Sequence, residues 1–411
     1  MPSTLLENGT LLDVVAGERL PGRHVLIRDG RLAEVSDRPI TATGHVDVRI
    51  DLRGKTIMPG LCDAHVHVTQ LASNLTFLRD AAPSYVAAQS SVVLRDTVRR
   101  GFTTVRDAAG ADYGLAAAVD DGLFEGPRIL FAGHALSQTG GHADMRSKGQ
   151  DRYDFCPSCL GRTGRVCDGP IEVRRAARDE LRKGASQVKI MVSGGVTSPL
   201  DRIESMQFSA EEIRAAVEEA EAQDRYVMAH AYTSRSINRA LECGVRSIEH
   251  GNMMDEATAA HIRDRDAFLV PTVVVYWAMQ RFGAEIGIPA MFQDKVAIVH
   301  EAAMRGLEIA TRAGVRMVFG TDLFGDMLDH QSHEFSLRAE IQSPMEIIRA
   351  ATSTAAELFN MVGEIGVIAP GARADLLVID GDPVADLNLL QGQGRHMSII
   401  MKDGAFVVNR L

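Results

Sequence analysis

"LCDAHVHV" (residues 61–68) sets two histidines at i and i+2 inside an apolar run. On a helix that spacing would point His65 and His67 away from each other. On a strand, where successive side chains alternate faces, both imidazoles project from one side. Seven further runs have the same texture: "FTTVRDAA" (102–109), "RILFAGHAL" (128–136), "QVKIMVSGG" (187–195), "RYVMAHAY" (225–232), "RSIEHGN" (246–252), "FLVPTVVV" (268–275) and "RMVFGTDL" (316–323). Helical stretches intervene, among them "SAEEIRAAVEEAEAQ" (209–223), where Ser209 and Glu212 form a capping box. Eight strands alternating with helices predict an α/β chain folded as a (β/α)8 TIM barrel.

The flanks differ. "HVLIRDGRLAEV" (24–35) and "SIIMKDGAFVV" (398–408) alternate around Asp-Gly hairpin signals at opposite ends of the chain. These predict one small β-sandwich domain formed from both termini, 1–58 and 366–411, bracketing a barrel at 59–365. "MPG" (58–60) and "GVIAPG" (366–371) mark the boundaries.

The chain has 411 residues, 45% hydrophobic, with a formal net charge of −10. That balance argues against a nucleic-acid surface, which needs clustered Lys and Arg. The longest basic cluster, "RRAARDELRK" (174–183), mixes charges as a solvated helix face does. No run approaches 18 uninterrupted apolar residues, and the N-terminus lacks a basic, then apolar, leader, so a cytoplasmic protein that avoids membranes is expected. Five cysteines do not suggest a disulfide framework. Cys156, Cys159 and Cys167 could hold a structural zinc, but an irregular spacing with no fourth ligand nearby favours incidental cysteines in a long loop.

In a barrel, chemistry sits at the C-terminal ends of the strands. Those ends carry His65 and His67, then Lys189, His230, His250 and Asp322. A lone strand-end histidine is usually a hydrogen-bonded structural residue. Six such residues at one end of five separate strands are much harder to attribute to chance.

These residues resemble the signature of the amidohydrolase superfamily: "DAHVH" (63–67), "VKI" (188–190), "AHAY" (229–232), "IEHG" (248–251), "GTD" (320–322) and the tail "ADLLVIDGDPV" (374–384). "TTVRDAAG" (103–110), "TGGHAD" (139–144), "VSGGV" (192–196) and "SPMEIIRAAT" (343–352) are similar to the dipeptidase and carboxypeptidase branch, which includes enzymes that hydrolyse ochratoxin. The resemblance implies two Zn²⁺ or similar divalent ions, bridged by carboxylated Lys189 and a hydroxide. His65, His67 and Asp322 would hold the more buried ion, and His230 and His250 the second. The hydroxide would attack an amide next to a C-terminal amino acid, with Asp322 moving its proton. Tyr232 and His142 are the candidates for the oxyanion donor. His142, Tyr232 and His330 are the candidates for substrate binding.

A small-molecule amide substrate and a homo-oligomer are therefore expected. A rival reading is a single-metal deaminase or cyclic-amide hydrolase of the same superfamily. It fits less well, because His230 is followed by Ala231, Tyr232 and Thr233 rather than the HxxE form, and Lys189 would have no role. A non-catalytic scaffold relative would have lost ligands that this chain keeps.

Overall fold

A computed structural model describes residues 2–41, 44–72, 81–152, 156, 160–198 and 200–411. The N-terminal strands are β1 (Thr4–Asp13), β2 (Glu18–Arg28), β3 (Arg31–Ser36), β4 (Val48–Asp51) and β5 (Thr56–Pro59). The central strands are β6 (Leu61–Val66), β7 (Phe102–Asp107), β8 (Arg128–Phe131), β9 (Ala135–Ser137), β10 (Gly164–Val166), β11 (Val188–Met191), β12 (Val227–Thr233), β13 (Ser247–Met253), β14 (Phe268–Val270) and β15 (Arg316–Met317). Near the C-terminus come β16 (Leu376–Ile379), β17 (Met397–Lys402) and β18 (Ala405–Asn409).

Strands from both ends are hydrogen-bonded into one eight-stranded sheet, ordered β18-β17-β16-β5-β1-β2-β3 with β4 against β1. The Asp-Gly hairpins behave as their sequence demands. Asp29 and Gly30 take φ of 49° and 75°, and Asp403 and Gly404 take 47° and 77°. Two successive positive φ values are what a tight turn needs to match strand twist. Leu6, Val25, Leu32, Ile57, Val378 and Met401 form one buried cluster on this sheet.

The central strands pair in parallel as two sheets, β6-β7-β8 and β10-β9-β11-β12-β13-β14-β15. Parallel strands with helical crossovers are buried on both faces, which explains their nearly continuous apolar runs. Backbone hydrogen bonds link the two sheets on both sides. Ser186 N donates to Phe131 O at 2.9 Å on one side, and Ala64 N donates to Phe319 O at 2.8 Å on the other. The second link brings β6 beside the segment that follows β15.

The seventh run departs from expectation. "FLVPTVVV" is strand only to Val270, because Pro271 has no N–H for a ladder and Thr272 turns to a φ of 47°. A helix begins at once, Val273–Phe282, and carries Tyr276, Trp277 and Met279. The Ser209–Glu212 capping box forms at the head of the helix Ala210–Glu221.

Of the clustered cysteines, Cys159 lies outside the described residues. Cys156 is disulfide-bonded and Cys167 is a buried free thiol. No helix among the described residues is long and apolar enough to cross a membrane.

Candidate metal centre

The end of β6 delivers two imidazoles with one nitrogen each already tied. His65 Nδ1 meets Glu249 Oε2 at 2.7 Å, and His67 Nδ1 meets the Ala109 carbonyl at 2.9 Å. Such partners fix the ring and leave Nε2 as the ligand atom. Both Nε2 atoms face Asp322 Oδ1, at 3.3 and 3.1 Å. Burial alone would raise the Asp322 carboxyl, but His65 and His67 outweigh it and hold the group well below the carboxylate range. Asp63 joins the two parts of this arrangement, accepting from His65 N at 3.1 Å and from Thr321 N and Oγ1 at 3.2 and 2.7 Å.

The other side is built alike. His230 Nε2 meets the Gly194 carbonyl at 3.0 Å, and His250 Nδ1 meets Thr272 Oγ1 at 2.8 Å. Each ring therefore keeps one free nitrogen. Burial drives both histidines well below their ordinary pKa, helped at His230 by His142 and at His250 by His65, with Lys189 acting on both, so both are the neutral bases a metal requires. Ligand atoms of His65, His250 and Asp322 lie within 4.8 Å of one another. Lys189 is almost fully buried beside them, and burial lowers it to about 8 against the pull of Glu249 and Asp322. His250 and Asp322 both sit at positive φ, 74° and 56°, a conformation that surrounding structure must enforce. Two residues past Thr272, Val274 N donates at 2.7 Å to Glu334, a fully buried carboxylate.

This donor set of imidazoles and a carboxylate, each oriented by a second partner, suits divalent ions such as Zn²⁺. It lines a cavity of about 750 Å³, part of it open solvent. His65, His67, Lys189, His230, His250 and Asp322 all face that cavity, as do His142 and Tyr232. His330 does not line it. Its ring stacks on Phe282, with centroids 4.7 Å apart, and touches Trp277 edge-on.

Hydrogen bonding separates the two donor candidates. His142 stacks on His230 at 4.3 Å, and its Nδ1 lies 2.7 Å from Ser198 Oγ. Ser198 gives its proton to the Asp201 carboxylate, which can only accept. Ser198 must then accept from His142 Nδ1–H, so the neutral ring turns an acceptor, Nε2, to the cavity. Burial depresses His142 to about 4, which favours that neutral form. Tyr232 is the reverse case: it accepts from Tyr276 Oη at 2.9 Å, leaving its own O–H free to donate.

A family model for the amidohydrolase family matches residues 56–406. The chain belongs to that family. Among curated proteins, the ochratoxinase of Aspergillus niger is 29% identical over 399 residues, covering 92% of this chain and 83% of that protein. Among solved structures, a prolidase complexed with N-methylphosphonate-L-proline superposes with a TM-score of 0.95 at 48% identity, covering 99% of this chain and 100% of that one. A Xaa-Pro dipeptidase with methionine bound in its active site gives 0.88 at 29% identity, covering 98% and 99%. This amidohydrolase therefore sits in the superfamily's dipeptidase branch and is a hydrolase.

Two members of the site went unassigned in the sequence. Arg106 and Glu249 are both fully buried beneath the ligands, paired through Arg106 Nη2 at 2.9 and 3.0 Å from the two carboxylate oxygens. Arg106 also donates to the Ala64 carbonyl at 2.6 Å, and Ser247 Oγ donates to Glu249 at 2.5 Å. Against burial, Arg106 and His65 hold Glu249 well below its ordinary pKa. The available signal was a charged residue inside an otherwise apolar strand run, in "TTVRD" and again in "IEHG". An unpaired charge is rarely buried, so each predicted a partner.

Proposed function

We propose that the chain is a zinc-type amidohydrolase that removes a C-terminal amino acid from dipeptides or N-acyl amino acids. The observation that carries this reading is the convergence of four imidazoles, Lys189 and Asp322 on one cavity. The prolidase and Xaa-Pro dipeptidase likenesses make Xaa-Pro dipeptides and N-acyl prolines the first substrates to consider, and ochratoxinase adds phenylalanine amides of the ochratoxin type. The parallel strands are read as one closed (β/α)8 barrel at 59–365, with the terminal strands as its β-sandwich.

His65, His67 and Asp322 would hold one ion and His230 and His250 the other, with Lys189 carboxylated between them. Bound there, the two ions would supply an acidified water and polarise the scissile carbonyl. Asp322 then takes the attacking water's proton at a carboxylate oxygen and passes it to the leaving nitrogen. Tyr232 donates its free O–H to the carbonyl oxygen as charge develops there. His142 Nε2 is placed to accept from the N-terminal ammonium of a dipeptide. Gln70, Thr163 and Thr197, neutral side chains on the cavity wall, are the donors for the terminal carboxylate.

Elemental analysis of metal-replete protein should give about two ions per chain, and one or none would overturn the binuclear reading. Chelation should abolish turnover, and added Zn²⁺ should restore it. Free-acid dipeptides and N-acyl amino acids should be cleaved at least about tenfold faster than carboxamide-capped versions. Equal rates would defeat the carboxypeptidase reading. Ammonia release from a nucleobase without amide cleavage would favour a deaminase.

A further inference from the structure

One polar cluster beside the cavity has no part in that chemistry. Lys295, on the helix Ala290–Ala313, reaches across to the segment that follows β11. Its ammonium donates to the main-chain carbonyls of Gly195 at 3.0 Å, Ser198 at 3.0 Å and Asp201 at 2.7 Å. An ammonium has three N–H donors, and all three are used on this one segment. Beneath it the buried Asp201 carboxylate accepts from Gly195 N at 3.1 Å, from Gln207 Nε2 at 2.9 Å and from Ser198 Oγ.

Those partners lead to the site. Gln207 Oε1 accepts from His142 N at 2.8 Å, and Ser198 meets the His142 ring at 2.7 Å. Between the anchored carbonyls, Val196 and Thr197 line the cavity. Gly195 leaves room for the ring, since a Cβ there would stand 2.0 Å from His142 Cε1. Lys295 itself does not line the cavity. Its helix is fixed by buried Phe292, Val296 and Val299.

We propose that Lys295 is a positioning residue. It locks residues 195–198 and 200–201 beside the substrate cavity, where Val196 and Thr197 line the wall, and, through Asp201 and Ser198, sets the direction in which His142 faces. The tie spans about a hundred residues of sequence, so it adds a long-range anchor to the local bonds that Asp201 makes to Gly195 and Ser198. The kinetic consequence rests on the amide-hydrolase reading; the structural consequence does not.

Trypsin can test the structural part directly. The Arg202 side chain is 86% exposed, but it adjoins Asp201 and the buried Ile203, so cleavage there requires the segment to come free. Lys295→Met should be cut after Arg202 at least about tenfold faster than the parent, with metal content and thermal midpoint little changed, because proteolysis follows local opening. Lys295→Arg should restore part of the protection. If the Met variant does not fold, Lys295→Gln, which keeps two donors, takes its place. An unchanged cleavage rate in a folded variant would overturn the proposal, even if no amide substrate is ever found. With a substrate in hand, Lys295→Met should lower kcat/KM about tenfold, mainly through KM, and add little in a His142→Ala background, as coupled residues do. Fully additive losses would show that Lys295 does not act through His142.

Discussion

Beneath the cavity, Arg106, Glu249 and His65 lie on β7, β13 and β6, and each side chain is held by the pleat of its own strand. At the rim, His142, Tyr232 and residues 195–198 are held by a serine, a tyrosine and a lysine drawn from other helices and loops. The floor is almost dry, with Arg106 and Glu249 both 0% exposed. A desolvated pair of that kind tolerates no loss of a partner. The rim is partly open and largely neutral, so it can be altered without destroying the fold. On the proposed function, metal binding would fall to the floor and substrate choice to the rim, as loop-borne specificity on a fixed scaffold requires.

Asp322, where floor and rim meet, should show the largest effect. Asp322→Asn should lower kcat about 10³-fold, within the range of positioned proton transfer, while the fold and at least one metal persist. Near-parental kcat by steady-state assay would reduce Asp322 to a ligand. On the floor, Arg106→Met should cost about 3–5 kcal/mol in denaturant unfolding, because Glu249 would be left buried and uncompensated. The double change with Glu249→Met should cost less than the single one, and an equal or larger loss would show that pairing is not what matters there. On the rim, Tyr232→Phe should lower kcat about 10²-fold with stability nearly unchanged, the loss expected for one oxyanion donor.

The smallest effect is expected at Glu334, which caps the helix joining the two regions. Burial lifts its pKa from 4.5 to about 7. Between those values the folded chain binds more protons than the unfolded chain, so stability should fall as pH rises through that window. Glu334→Gln should flatten this fall by about 1–3 kcal/mol in unfolding curves taken between pH 4.5 and 7. A slope equal to the parent's would place the titration elsewhere.

The same division governs how much could be read from the sequence. His65 and His67 were legible because a strand's period of two puts them on one face; β6 carries His65 and ends at Val66, with His67 immediately after it. Lys189, His230, His250 and Asp322 were legible as polar residues in the apolar runs, although the strands place them differently: Lys189, His230 and His250 lie within β11, β12 and β13, and Asp322 follows the end of β15 by five residues. The runs misled only where a helix or loop intervened, as at Pro271, where an apolar stretch reads equally as strand or buried helix. Arg106 and Glu249 stood in view within quoted motifs, but pairing them needed the strand order. Ser198, Asp201 and Lys295 gave no signal, since their partnership joins segments about a hundred residues apart. His330 was chosen by its place after the last run, and the fold turns it toward Phe282 and Trp277 instead.

The sheet built from both ends of the chain has a consequence for synthesis. In that sheet β5 lies between β1 and β16, with Met58 opposite Leu377. At roughly 5–20 residues per second, the ribosome needs roughly 15–60 s to deliver the 319 residues (377 − 58) that separate them. During that interval β1, β2 and β5 can pair, but the far edge of β5 stays open, an apolar strand with unpaired N–H and C=O groups. The nascent chain must therefore carry an adhesive edge through most of its translation, and a pause late in the message would prolong the exposure. Slower decoding between 360 and 376 should raise the aggregated fraction without altering a single side chain of the finished enzyme.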